Sequence, residues 1–377
     1  MKGTISIIGA GIGGLTTALI LKQKGIKPTI FEGSKEIKSV GAGIIIANNA
    51  MQVFKGLGIH RKIEKAGNKI SFMKITDDQL NNLSKIDLST YEQKYDVQNT
   101  AIHRGVLQKI LIDELGLDHI HLSKRLSKIQ KSELLKLTFE DNSTIESDIV
   151  IGADGIKSVV RNQLFEKSTL RDSKQICWRG ICETHLPQKY HNELNEAWGK
   201  GKRFGFVKIS DKEVYWYALA NSKNLEPNNI NLADYFSEFH VDIINIISVT
   251  NKEKIIVSDV FDLKPIDKWQ SKNICLVGDA AHATTPNLGQ GACQAIEDAY
   301  VLGELLSKNI PIGNAFKKYE NIRRKKALAI VNTSWRIGKM AHIENKYGIW
   351  LRNLAMKNTP KSVNKKSMDK IFSLNVI

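Results

Sequence analysis

Long apolar runs are missing from this chain of 377 residues. No uninterrupted stretch approaches the ~18–20 apolar residues that a spanning helix needs, and the short Thr4–Ile8 run lacks the longer core and cleavage site of a signal peptide. A soluble, cytoplasmic protein is expected. Cysteine is scarce: Cys177, Cys182, Cys275 and Cys293 form no C-x-x-C pair, so four free thiols in a reducing cytosol and no metal site are expected. With only 7 prolines, 42% hydrophobic and 25% charged residues, and no internal repeat, the composition is that of a folded α/β protein. Acid is short as well: Asp+Glu 39 against Lys+Arg 55 leaves +16. Such a balance could draw nucleic acid, anionic lipid or an acidic substrate. The excess is scattered, however, and gathers only at Lys357, Lys361, Lys365, Lys366 and Lys370. It is read as a solvated basic face, with neither nucleic acid nor membrane expected as a partner.

What is present begins at the N-terminal end. Thr4–Ile8 is short and β-branched, as a buried parallel strand requires. Gly9-x-Gly11-x-x-Gly14 follows at once, with Ile12 and Gly13 inside it, then a helical stretch from Leu15 to Lys24 and a C-cap glycine, Gly25. The next strand, 27–31, ends at Glu32. Gly9 permits the tight turn, Gly11 lets backbone approach a pyrophosphate, and Gly14 allows close packing of helix on strand. The helix N-terminus favours the phosphate charge. Glu32 is expected to accept hydrogen bonds from the adenosine ribose hydroxyls, which suits FAD or NAD and disfavours a 2′-phosphate.

Two later segments extend this site. Ile149–Ile151 is a strand running into Gly152-Ala153-Asp154-Gly155, with Ser158 and Arg161 on a helix behind it. Alone, this Asp-Gly would be a turn. Asn273–Val277 is another strand, leading into GDAAHATTPNLGQG at 278–291 and a helix through Ala295 to Leu306. Asp279 would meet a ligand hydroxyl at the strand end. The small residues around Gly289 and Gly291 would let the helix N–H groups approach a flat ring and stabilise negative charge on it. In this order, the three segments fit FAD along its whole length.

They resemble the single-component FAD-dependent aromatic hydroxylases, the p-hydroxybenzoate hydroxylase-like group A flavoprotein monooxygenases. The likeness rests on GAGIGG at 9–14, Glu32, 148–161 and 278–291, with Gly41-Ala42-Gly43-Ile44, Asn49-Ala50 and Ile102-His103-Arg104 in support. The resemblance implies that Gly9, Gly11, Gly14 and Glu32 bind the ADP half, and that Arg104 reaches the pyrophosphate–ribose region; otherwise Arg104 is a surface arginine at a helix start. It assigns Asp154 and Gly155 to a segment serving both FAD and NAD(P)H, and Asp279 to the ribityl chain. Gly278 belongs to the same motif, and Pro286 to Gly291 would border the isoalloxazine. The 41–46 loop would run beside the flavin and permit it to swing. His103 and His282 are read as structural neighbours of their motifs.

Between the second and third segments, 175–182, 203–209 and 213–219 alternate like strands, and Ser210-Asp211-Lys212 reads as a hairpin turn. Tyr215 and Tyr217 should share one face, with Trp216 on the other. That face would roof the flavin as an apolar slot for a planar substrate, or be plain sheet packing. Arg203 and Arg179 could pair with a substrate carboxylate. Beyond Leu306 the chain is helical, and its Arg323–Lys326 run is expected to face solvent.

The expected fold is α/β: a Rossmann-like FAD domain (1–71, 100–165 and 270–330), interrupted by an antiparallel substrate domain (72–99 and 166–269), with C-terminal helices over 331–377. The resemblance implies a monooxygenase in which NADH or NADPH reduces FAD, O2 adds at flavin C4a, and the hydroperoxide hydroxylates a small aromatic or heteroaromatic compound. The alternatives are another redox reaction of the same fold, such as epoxidation, antibiotic inactivation or reduction, and a flavin-binding protein without turnover. The W-x-W-x-x-I-P segment of halogenases is absent from the sequence. Whether the chain is a monomer or a homodimer is not legible.

Overall fold

The computed structural model describes residues 3–37, 42–164, 168–223 and 225–374. Two sheets organise it. The first has six strands, in the order Gln270–Ser271, Ile274–Leu276, Ile149–Gly152, Ile5–Ile8, Pro28–Phe31 and Ile120–His121. All its pairs are parallel except the outermost, 270–271 on 274–276. Ile5–Ile8 is central, with Ile5 opposite both Pro28 and Ile149. Its four residues are buried, as expected of a strand covered on both faces. The helices Ile12–Gln23 and Gly291–Leu306 pack against each other on this sheet, and both of their N-termini open from glycine segments.

The second sheet has seven strands, in the order Ile256–Leu263, Leu170–Glu183, Glu213–Asn221, Lys202–Lys208, Glu193–Trp198, Phe72–Asp77 and Asn82–Asp87. It is antiparallel apart from 193–198 on 72–77, which run parallel. Its two faces differ. Ile176, Trp178, Phe204, Phe206 and Trp216 bury against the helix Val241–Ser248 as a separate core. Tyr215, Tyr217, Arg203 and Arg179 follow the opposite pleat, and Val207 and Tyr215 join the core of the nucleotide domain. A three-stranded sheet, Gly43–Ile46, Asn99–His103 and Asn68–Ile70, lies alongside.

The long helix Ile312–Ala341 crosses position 331, where a change of segment was expected; the chain turns away at His342 instead. The Arg323–Lys326 run on this helix corrects another expectation. Arg323 is fully buried, with Nη1 on Glu297 Oε2 at 2.5 Å and Nε on Asp298 Oδ1 at 2.8 Å. Lys326 also reaches Glu297, at 2.9 Å, and within the run only Lys325 is exposed. The run spans slightly more than one turn, so its side chains point around the helix, and the face packed on Gly291–Leu306 takes two of them inward.

Candidate active site

The nucleotide end is built around three glycines. A Cβ at Gly14 would stand 2.0 Å from the Gly9 carbonyl oxygen, and one at Gly9 would stand 2.5 Å from that of Ala153, so both are fixed by close backbone packing. Gly11 differs. It has an ordinary extended φ of −70°, and nothing lies within 4 Å of the position its Cβ would take. This open space adjoins a cavity of ≈ 520 Å³ lined by Ala10, Gly11, Glu32, Ser34, Arg104 and Gln108 among others. The Ile12–Gln23 helix points its first turn here with no acid and no capping side chain. Its N–H groups and dipole therefore offer an anion site.

Glu32 is held by the loop it serves. Oε2 accepts from Ala10 N at 2.8 Å and Oε1 from Ser34 N at 2.9 Å, leaving each oxygen a further lone pair toward the cavity. Arg104 is the first residue of its helix, and His103 caps that helix by accepting from Gly105 N. One turn later, Gln108 reaches the same cavity and donates to the Ala10 carbonyl at 3.0 Å. Gln108 was missed in the sequence. Its signal was the i, i+4 spacing from Arg104 on one helix face.

The two later segments behave differently from each other. Asp154 turns its carboxylate onto its own helix, accepting from Ser158 Oγ at 2.5 Å and from the backbone N–H groups of Val159 and Val160. Burial nonetheless raises its pKa. The side chain acts here as a helix cap, and Gly155 supplies the positive φ of the turn. Asp279, by contrast, is exposed to the cleft while protein crowds around it. That crowding raises its pKa against the opposing pull of His282, Arg104 and Arg161. The Arg104 charge thus acts on Asp279, although the two residues lie 175 positions apart. Arg161 is buried and donates to the Ala280 and Ile156 carbonyls.

Pro286–Leu288 forms a short turn, Gly289 takes the left-handed conformation (φ +60°), and the helix starts at Gly291 without an acid or a capping side chain. Gly278 sits against Ala295, and Gly13 meets the same alanine, which ties the first and third segments together. His282 Nε2 donates to the Asp298 carboxylate at 2.6 Å and is buried. It belongs to the framework, as expected.

The roof is the face of the seven-stranded sheet that carries Tyr215 and Tyr217. Their rings lie 6.0 Å apart, and Trp216 stacks on Phe204 on the far side. Gly43 makes room for the Tyr215 ring, since a Cβ there would meet Tyr215 Cγ at 2.3 Å; Gly41 lies outside the described residues. Tyr217 lies over Gly205 and donates to Glu196 Oε2 at 2.5 Å. Arg203, fully buried, donates to Glu196 Oε1 at 2.9 Å and to Asn287 Oδ1. Trp198 Nε1 also donates to Glu196, at 2.7 Å. The arginine expected to wait for a substrate carboxylate already has one in Glu196. Arg179 is half-buried and donates to Ser258 Oγ at 3.3 Å, and its positive charge pulls against the burial that raises the Tyr215 pKa.

A cleft with two uncapped, acid-free helix N-termini, open space beside Gly11 and an Asp279 that feels the Arg104 charge fits a long dinucleotide with a flat end. Among the described residues, no group of three or more His, Cys, Asp or Glu could hold a metal ion. The four cysteines are free and buried, and burial pushes the Cys177 thiol up to about 11.

A family model described as an FAD binding domain matches residues 2–334. The aurachin C monooxygenase/isomerase of Stigmatella aurantiaca is 34% identical over 94% of this chain and 94% of its own. The 2-heptyl-3-hydroxy-4(1H)-quinolone synthase of Pseudomonas aeruginosa is 29% identical over 98% of both. The crystal structure of Klebsiella pneumoniae HpxO with FAD and uric acid superposes with a TM-score of 0.90 at 25% identity, covering 98% of this chain and 96% of that one.

Proposed function

Because the chain belongs to the FAD binding domain family, as an FAD-dependent monooxygenase of the aromatic hydroxylase group, we propose that it hydroxylates an uncharged, planar heteroaromatic compound of the quinolone kind, with NADH or NADPH as reductant. Bound FAD supplies the oxygen activation and transfer. The residues do the rest. Gly11 and the first turn of Ile12–Gln23 would hold the ADP half, with Glu32 for the ribose and Arg104 and Gln108 for the pyrophosphate; Gly11, Glu32, Arg104 and Gln108 line one cavity. Asp279 would accept from the ribityl hydroxyls, and the uncapped N-terminus of Gly291–Leu306 would stabilise negative charge on the flavin ring. Tyr215 and Tyr217 would cover the substrate on the side away from the flavin and exclude water from the reacting carbon.

One observation carries the choice of a neutral substrate. Glu196 compensates Arg203, so the best-buried cation of the roof offers no net charge to an anion. The name of one relative, a quinolone synthase, supports the same class. The test is anaerobic mixing of the FAD-loaded protein with NADH or NADPH while flavin bleaching is timed. A 2-alkyl-4-quinolone should accelerate bleaching by roughly tenfold or more, and urate or a hydroxybenzoate should not. Acceleration by the anions alone would reverse the assignment of substrate class. Rapid bleaching indifferent to every compound would point to reductase or uncoupled oxidase chemistry.

A further inference from the structure

Surface helices normally turn their apolar stripe inward. The helix Lys346–Lys357 does the reverse. Its outward face carries Tyr347 (83% exposed), Trp350 (64%), Leu351 (60%) and Leu354 (43%). These occupy i, i+3, i+4 and i+7, a continuous stripe along two turns. The inward face is held by an arginine. Arg352 is buried, stacks on the Trp198 ring at 5.3 Å, and donates to the carbonyls of Ala341 (3.2 Å) and Trp198 (3.4 Å). Asn345 fixes the start of the helix by accepting from Gly348 N at 3.0 Å. The orientation is therefore set by specific bonds, and the aromatic and leucine side chains are committed to solvent.

The charge around the stripe identifies its occupant. From Asn345 to Met368 there is no Asp or Glu, while Lys346, Arg352, Lys357, Lys361, Lys365 and Lys366 are all present. Apart from the buried Arg352, these cations are exposed. A second copy of the chain would bring like charges together across a two-fold axis. An anionic lipid surface would neutralise them while taking up the apolar side chains, and Tyr and Trp are suited to the headgroup level. Among the described residues no helix is long and apolar enough to cross a membrane, so the contact is peripheral.

We propose that Lys346–Lys357, with the lysines that follow it, docks the protein on an anionic membrane surface through Tyr347, Trp350, Leu351 and Leu354. This surface stands independently of the substrate reading above. The FAD-loaded protein should be sedimented with sucrose-loaded vesicles of phosphatidylcholine alone and of equal parts phosphatidylcholine and phosphatidylglycerol. It should pellet with the anionic vesicles at low salt and be largely released in 0.5 M NaCl, by roughly tenfold or more. The combined variant Tyr347→Ser, Trp350→Ser, Leu351→Ser, Leu354→Ser should lose binding while keeping its flavin spectrum and thermal midpoint. Should that variant misfold, Lys357→Glu with Lys361→Glu tests the same surface. Equal pelleting with both vesicle types would overturn the proposal, as would no pelleting with either. A concentration-dependent dimer abolished by the serine variant, without lipid binding, would assign the stripe to a second copy instead.

Discussion

Glu196 accepts from three side chains, Arg203, Tyr217 and Trp198, and two of these donors form the roof of the site. Burial and the nearby Glu196 charge keep the Tyr217 phenol protonated, so it remains a donor. Replacing the carboxylate by an amide would strand the Arg203 charge in the interior. Glu196→Gln is expected to cost about 3 kcal/mol in urea unfolding. Adding Arg203→Met should recover much of that loss, because the double variant buries no unpaired charge. A purely additive double variant would show that the pair is not coupled. None of this was legible beforehand. Glu196 sits in an ordinary strand, and its partners become neighbours only through pairing of 193–198 with 202–208 and of 202–208 with 213–221. The glycines of the first loop were legible because their constraint is local backbone geometry. The loop also offers a sharp separation of roles. Gly11→Ala should leave apo stability within about 0.5 kcal/mol but weaken FAD binding by roughly tenfold, about 1.4 kcal/mol, since the methyl enters the phosphate space. Gly14→Ala should instead destabilise the fold by about 2 kcal/mol through overpacking against the Gly9 carbonyl. Thermal unfolding of apoprotein and fluorescence titration with FAD separate the two.

At the scale of elements, strand and helix identities followed from period and turn residues, which is why 213–219 and 291–306 were placed closely. The direction a helix faces was harder, because it depends on what packs there. Arg323 and Lys326 turned inward onto Glu297 and Asp298, and Lys346–Lys357 turned its apolar side outward. The end of the long helix shows the energetic consequence of such burial. His342 follows Ala341, is buried, and places Nδ1 2.9 Å from both the Gly338 carbonyl oxygen and Gln175 Nε2. Burial first, and then the Arg203 charge, push its pKa down to about 3. In the unfolded chain the same ring takes a proton near pH 6.5. Between these values the unfolded state binds more protons, so the contribution of His342 is fully present above pH 6.5 and is lost progressively as pH falls toward 3. The slope approaches about 1.4 kcal/mol per pH unit. Urea unfolding of the wild type and His342→Gln at pH 7.5, 6, 5 and 4.5 should show the wild type losing more by about one proton's slope. Parallel curves would show that His342 titrates alike in both states.

At the scale of the whole molecule the two large sheets meet at the cleft, and one side chain links three of the parts around it. Asn287, in the turn before the Gly291–Leu306 helix, accepts from Arg203 of the seven-stranded sheet. Its amide nitrogen donates to Thr285 Oγ1 at 2.9 Å and to the Ser334 carbonyl of the long helix at 2.7 Å. Roof, flavin loop and C-terminal helix therefore meet at a residue whose side-chain amide is taken up by protein partners. The motif that contains Asn287 announced a flavin loop; its bond to a strand residue 84 positions earlier could come only from the assembled fold. Asn287→Ala would leave Arg203 with Glu196 alone and free the loop from the roof. FAD content should stay near that of the wild type, because Gly11, Glu32, Arg104 and Asp279 are untouched. Stability should fall by about 1–3 kcal/mol for the unpaired buried donor. The more telling effect is on coupling: a loosened roof admits water beside the reacting carbon, so product formed per NAD(P)H oxidised should fall while peroxide release rises. Oxygen-electrode traces with and without catalase, beside product quantitation, measure this ratio. An unchanged ratio in a protein of lowered stability would confine Asn287 to the framework and leave Tyr215 and Tyr217 as the side chains that keep the site dry.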